Sequence, residues 1–281
     1  IPLAVDQVSP KEIIKTIKLL EGSFGGINLE DISAPRCFEI EQRLKKELDI
    51  PVFHDDQHGT AIVTAAALIN SLKLVGKKME DLTVAMNGAG AAGIAIAKFL
   101  LRFGVKEVVL CDSKGIICEG DPRLNASKQE IAKMTNPRKL TGPLANAMVG
   151  ADLFVGVSVA NCVTKEMVKS MAPNAIVFTC ANPVPEISRE DALDAGAAVV
   201  GTGSSEKPNQ INNVLVFPGL FRGALDVRAT DINMEMMMAA SRAIASVVSD
   251  EELSKDKILP FAWDERAHQA VAAAVAEEAR Q

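Results

Sequence analysis

Two pairs of adjacent carboxylates, Glu30-Asp31 and Asp55-Asp56, each close a short apolar stretch, Ile27-Asn28-Leu29 and Ile50 to Phe53. Read as strands, those stretches bring both pairs to the carboxyl ends of a parallel sheet, the edge where open α/β sheets place their ligands. The two pairs can therefore converge although 25 positions separate Asp31 from Asp56. Hard oxygen donors of this kind suit Mg²⁺ or Mn²⁺. The alternative is that each pair caps the helix after it, Asp31 beside Ser33 and Asp56 before Gln57. His54 and His58 flank the second pair and read as structural histidines beside an oxygen-rich site.

A second constellation is the turn Gly88-Ala89-Gly90-Ala91-Ala92-Gly93, a G-x-G-x-x-G. The first glycine permits a tight turn, the second lets a pyrophosphate approach the backbone, and the third lets the helix pack on its strand. A predicted strand, Thr83 to Asn87, precedes it, and a helix over 91–102 follows with free N–H groups at its start, which favour a phosphate. Val108 to Cys111 is the next predicted strand, and Asp112 ends it about 20 residues past the turn, where an acid holds a ribose hydroxyl. The expectation is NAD, with NADP as the alternative, because Lys114 stands where it can pair a 2′-phosphate. The competing reading is a glycine turn needed only for packing, with Asp112 as a helix cap. Asn182, Asn212 and Asn213 sit at or near turns beside predicted strands. They serve either as turn residues or as amides for a carboxylate substrate or a nicotinamide, and position alone leaves that open.

These residues need a scaffold. The chain reads as α/β, a doubly wound parallel sheet (Rossmann-type) with a partial second α/β domain, divided at Gly76-Lys77-Lys78 into 1–76 and 77–281. In the first part strands are expected over 1–5, 27–29 and 50–53, with helices opened by Ser9-Pro10 and by Ser33 with Pro35. A long buried helix, 57–74, joins the two parts. Six strands are expected after it: 83–87, 108–111, 152–157, 175–179, 197–200 and 214–217. Two helices close the chain, over 231–248 and 264–279, and the methionines Met234, Met236, Met237 and Met238 of the first read as core packing.

Composition bounds the function. Of the residues 48% are hydrophobic and 23% charged, enough for a core and against disorder. A net charge of −6 and a pI near 5.3 argue against a nucleic-acid partner. No apolar run is expected to reach the ~18 residues a membrane span needs, so no membrane partner is expected. There are five cysteines and no C-x-x-C spacing; four lie in or near apolar segments and read as small core residues rather than disulfides or zinc ligands, which fits a reducing cytoplasm. The first residue is Ile1, so the chain is expected to be processed or a fragment.

The runs FGGINLEDISAPRCFEIE (24–41), FHDDQHGTA (53–61), NGAGAAG (87–93), CANPVPE (180–186) and NQINNVLVFPGLFRGALD (209–226) together resemble the malic enzymes of the short bacterial and archaeal type. FHDDQHGTA and INNVLVFPG are specific; NGAGAAG alone is not. The resemblance implies oxidation of malate by NAD⁺ or NADP⁺ and decarboxylation to pyruvate. It implies Glu30, Asp31 and Asp56 as ligands of Mg²⁺ or Mn²⁺, Asp55 as the residue that tunes the base, and Asn182 and Asn213 as contacts of substrate or nicotinamide, with Asn212 adjacent. It implies a homodimer or larger assembly. It also implies a tyrosine acid and a lysine base from a segment before Ile1. The chain has no tyrosine, and Lys11, Lys15 and Lys18 match no motif of the family. The expectation is therefore a chain that binds cofactor but lacks its acid and base. The alternatives are a metal-independent hydroxy- or amino-acid dehydrogenase and a non-catalytic NAD(P)-binding module.

Overall fold

A Ser-x-x-Glu cap starts the first helix, α1 (Pro10–Leu20). Glu12 N–H donates to Ser9 Oγ and Ser9 N–H donates back to Glu12 Oε2, which satisfies two donors left free at a helix start. The computed structural model that gives this geometry describes residues 1–6 and 8–281. Strand β1 (Ile27–Leu29), helix α2 (Arg36–Glu47) and strand β2 (Val52–His54) follow. Ile13 and Ile14 of α1 meet Ile40 and Leu44 of α2 over Leu29 and Val52, a small core made by apolar residues at helical spacing. β1 and β2 are parallel, with Ile27 against Val52 and Leu29 against His54. The expected strand over 1–5 does not form: residues 1–6 carry no strand and Ile1, Leu3 and Val5 are exposed. An apolar run alone cannot make a strand without a neighbour to take its backbone hydrogen bonds.

Asp55–Gly59 makes a π-helical turn that runs into α3 (Thr60–Val75), ended by Gly76 in the left-handed conformation. Contrary to the expectation from sequence, the continuous segment Asp55–Val75 has the length and apolarity of a membrane span, but 67% of its apolar window is buried in this fold. Eleven of the 16 residues of α3 are buried, so most of its circumference rather than one stripe faces the core.

The sheet that α3 covers contains β3 (Thr83–Asn87), β4 (Glu107–Asp112), β5 (Gly115–Ile116), β6 (Leu153–Gly156), β7 (Ile176–Thr179) and β8 (Val199–Thr202), in the order β5-β4-β3-β6-β7-β8. All pairs are parallel except β4–β5. Helices cover both faces. On one side lie α3, α4 (Ala91–Arg102), α9 (Gly219–Asp226), α10 (Met234–Ser246) and α11 (Glu265–Glu278). On the other lie α6 (Leu144–Met148), α7 (Lys165–Lys169) and α8 (Arg189–Asp194), while the short α5 (Ala126–Ala132) flanks α4. The strands alternate between the two: Val84, Met86, Leu153, Val155, Ile176 and Phe178 join the first core, and Ala85, Phe154 and Val177 the second. That is the period of 2 expected of side chains along a strand.

Five of the six expected strands form. The run Val214 to Phe217 does not; Asn213–Leu215 is a 3-10 turn capped by Asn212, and the sixth strand is the antiparallel β5 instead. A short apolar run looks the same whether it fills a strand or a buried turn. Here the Phe217 ring packs against Phe53 and Phe221. Met236 and Met237 lie in the core as expected. Asn70, fully buried on α3, donates to the carbonyls of Ala245 and Ile258, both at 2.9 Å, and so ties α3 to the end of the chain.

Candidate active site

The parallel register of β1 on β2 carries Glu30-Asp31 to the level of Asp55-Asp56. Asp31 has a φ of 57°, a conformation a short polar side chain tolerates. Its N–H thereby donates to Asp56 Oδ2 at 2.9 Å. Asp55 is buried. Its Oδ2 accepts a short hydrogen bond from Asn213 Nδ2, and its Oδ1 has no partner. Burial first, then the charges of Glu30 and Asp56, push the Asp55 carboxyl up to about 7, against the pull of His54 and Asn213. Gly59 leaves room for this arrangement, since a Cβ there would lie 2.0 Å from Asp55 Oδ1.

Glu30 and Asp56 thus lie near enough to Asp55 to act on it, so the two acid pairs converge at one sheet edge. Their side chains are not gathered around one point, however: among the described residues no three His, Cys, Asp or Glu groups are placed to enclose an ion. Glu30 turns to Asn28 Nδ2 at 3.2 Å, and Asp56 is held by the Asp31 N–H. Like-charged carboxylates splay unless something positive lies between them.

Behind the acids runs a buried relay. Gln57 Nε2 donates to Glu41 Oε2 at 3.1 Å and lies 2.8 Å from His54 Nδ1. The Glu41 carboxylate demands the amide's donor side, so the Gln57 N–H reaches His54 Nδ1 and the ring proton belongs on Nε2. That nitrogen is 3.3 Å from Asp56 Oδ2, close but poorly aligned for a hydrogen bond. Burial pushes the Glu41 carboxyl up, but the hydrogen bond and charge of His58, at 2.7 Å, more than offset it and hold it below its ordinary value. Both histidines are held by side chains, as the structural reading expected. Glu41 was missed, though its place in the apolar stripe Cys37, Ile40, Glu41, Leu44 was a visible signal.

The glycine turn lies beside this cluster, because the turn Asp55–Gly59 packs on α4. Gly88 has a φ of 115°, and a Cβ on Gly93 would sit 1.6 Å from the Gly88 carbonyl oxygen. A Cβ on Gly90 would meet nothing within 4 Å. The first and third glycines are closed by backbone and the second is open; Ala89 before it and Ala91 and Ala92 at the start of α4 are partly exposed. At the end of β4, Asp112 accepts from the Lys114 N–H at 2.9 Å and from Lys128 Nζ at 2.6 Å. Burial pushes its carboxyl up; these bonds and the charges of Lys128 and Arg123 more than offset that and leave it below the usual range. The sequence offers Lys114 only as a partner for a 2′-phosphate; in the structure its backbone N–H reaches Asp112, and the ammonium that does so is that of Lys128.

The amides divide. Asn213 is spent on Asp55 through Nδ2, and Asn212 Oδ1 caps the 3-10 turn by accepting from the Val214 N–H at 3.0 Å. Asn182 lies exposed on the loop after β7, and its side chain has no hydrogen-bond partner among the described residues.

Residues 57–280 match the family "Malic enzyme, NAD binding domain" and residues 6–45 match "Malic enzyme, N-terminal domain". The chain is 60% identical over 279 residues to the bifunctional malic/malolactic enzyme of Bacillus subtilis and 52% identical over 278 residues to the NAD-dependent malic enzyme of Geobacillus stearothermophilus. In both comparisons 99% of this chain is covered, but it spans 68% and 58% of those relatives. The crystal structure of malic enzyme from Pyrococcus horikoshii superposes with a TM-score of 0.95 at 44% identity, covering all of this chain and 66% of that one. NAD-dependent malic enzyme from Thermotoga maritima gives 0.94 at 49% identity, covering 98% and 73%.

Proposed function

Since the chain belongs to the malic enzyme family, we propose that it serves the oxidative decarboxylation of malate to pyruvate and CO₂ with NAD(P) and Mg²⁺ or Mn²⁺. The observation that carries this reading is the turn Asp55–Gly59, which presents carboxylates on one side and packs on the dinucleotide helix α4 on the other. The residues fit a divalent cation. The donors are hard oxygens, the Asp31 N–H holds Asp56 beside it, and a cation there would relieve the repulsion of Glu30 and Asp56 on the neighbouring Asp55, whose Oδ1 is buried without a partner among the described residues.

When bound, the cation supplies Lewis-acid polarisation of the C2 oxygen and the nicotinamide accepts a hydride. The chain's own residues arrange this. Glu30, Asp31 and Asp56 would hold the cation. Asp55, oriented by Asn213, lends its charge to the group that takes the C2 hydroxyl proton. Asn182, with what Asn212 and Asn213 leave unpaired, offers amides to the substrate carboxylate or the carboxamide. Asp112 takes the adenosine ribose hydroxyls and favours NAD, since a 2′-phosphate would meet its carboxylate. The acid that protonates C3 is no tyrosine of these residues, which have none. Five free cysteines suit a reducing cytoplasm, and the assembly is proposed to be a dimer or larger.

The test is pyruvate formation from malate and NAD⁺, with Mn²⁺ and with EDTA. Pyruvate only with the metal is the expected result. Equal pyruvate in EDTA would remove the cation, and NADH without pyruvate would point to a plain hydroxy-acid dehydrogenase.

A further inference from the structure

We propose that Glu186 is a positioning residue that clips together the two loops carrying the nicotinamide half of the site; this deepens, and rests on, the NAD(P) reading above. In a doubly wound sheet the two mononucleotide halves lie either side of the strand where the order reverses. Here that point falls between β3 and β6, so β3 and β4 carry the adenosine half and β6 to β8 the other. The loops 157–163 after β6 and 180–186 after β7 therefore frame the nicotinamide.

Glu186 joins them from beneath. Its side chain is 0% exposed. Oε1 accepts the Ser158 N–H at 3.1 Å and Oε2 accepts the Ala181 N–H at 3.2 Å, one from each loop. Its backbone carbonyl takes the Val163 N–H at 3.0 Å, and the Pro185 carbonyl takes that of Asn161 at 3.0 Å. Among the described residues no basic side chain pairs with it: both carboxylate oxygens are spent on loop backbone. Burial of the carboxyl pushes it above its ordinary value, and the N–H groups of Ser158 and Ala181 partly offset this.

Two neighbours are built around the clip. A Cβ on Gly156, at the end of β6, would lie 2.4–2.7 Å from the Glu186 side chain, so glycine there leaves space for the carboxylate. Ser158 Oγ accepts from Asn87 Nδ2 at 2.8 Å, which ties the first loop to the strand leading into the glycine turn. Ala181, held by Oε2, is followed at once by Asn182, the exposed amide. A buried carboxylate with two backbone donors and no cation stabilises the fold little; what it sets is where those two backbones lie.

The test compares NADH with ADP-ribose, which lacks the nicotinamide, by binding titration. Glu186→Gln keeps the shape but turns one acceptor into a donor, which must face the N–H of Ser158 or Ala181. NADH affinity should fall about tenfold, roughly the loss of one charge-assisted hydrogen bond, while ADP-ribose affinity stays unchanged. Gly156→Ala displaces the carboxylate and should separate the two ligands in the same way. The double variant should lose less than the product of the two, since both act through one clip. Should the glutamine variant not fold, Glu186→Asp and Gly156→Ala carry the same comparison. Equal weakening of both ligands would make Glu186 merely structural, and no weakening of either would remove the role; each overturns the proposal. Failure of the unaltered protein to bind ADP-ribose would instead overturn the dinucleotide reading.

Discussion

Replacing Asp112 by alanine should move the protein from NAD towards NADP. The Asp112 side chain is 15% exposed, and Lys128, at 2.6 Å, is 24% exposed. A phosphate on the ribose 2′ oxygen would come to about 4 Å from the carboxylate, where unit charges repel by roughly 4 kcal/mol at an effective dielectric of 20. The Lys128 charge, partial exposure and salt cut that to about 2 kcal/mol. Asp112→Ala removes this repulsion and also the hydrogen bond to the ribose of NAD, worth about 1.5 kcal/mol for a charged acceptor. The preference should shift by about 3.5 kcal/mol, roughly three-hundredfold. Lys128 and Arg123, which bear on Asp112, would then be left facing the phosphate. Fluorescence titration of NADH and NADPH at one ionic strength reads the ratio directly. Lys128→Ala is the companion variant: NADPH should weaken while NADH is retained. An unchanged ratio in Asp112→Ala would mean that Asp112 does not face the ribose.

Three further outcomes follow from the same geometry. Asn70→Ala strands the buried carbonyls of Ala245 and Ile258 and should destabilise the fold by about 3 kcal/mol; an unshifted urea midpoint would mean that the carbonyls find other partners. Glu30→Gln and Asp56→Asn should each weaken Mn²⁺ binding, followed by calorimetry, by at least about tenfold, and undiminished binding in both would place the cation elsewhere. A polypeptide of residues 1–281 alone, which has no tyrosine, should bind NADH yet form pyruvate about 10²–10⁴-fold more slowly than its longer relatives; a matching rate would put acid and base within these residues.

Features with a local cause were legible in the sequence. Ser9 and Glu12 cap α1 because both partners lie within one turn. Gly88 and Gly93 are needed because a neighbouring carbonyl occupies the place of any side chain, and that steric demand shows in the spacing of the glycines. The strands β3, β4, β6, β7 and β8 were visible as short apolar runs, since strands buried on both faces need little else. The convergence of Glu30-Asp31 with Asp55-Asp56 could be anticipated because parallel strands share one ligand edge.

What needed the tertiary structure is whatever depends on a partner far along the chain. Val214 to Phe217 is as apolar as a strand, but it packs as a turn against Phe53 instead of entering the sheet. Glu186 is an ordinary glutamate in the sequence, and Glu41 is marked there only by its place in an apolar stripe; only folding buries them and supplies His58 to one and two loop N–H groups to the other. Asp112 is the strand-end acid that the sequence predicts, but its ion pair with Lys128 of α5, 16 positions further on, exists only in the fold. Backbone preference and apolar pattern act over a few residues and can be read in order. Desolvation and charge act through space, so which side chains share a site, and what burial does to their protons, was decided by the packing of β1 on β2 and of the Asp55 turn on α4.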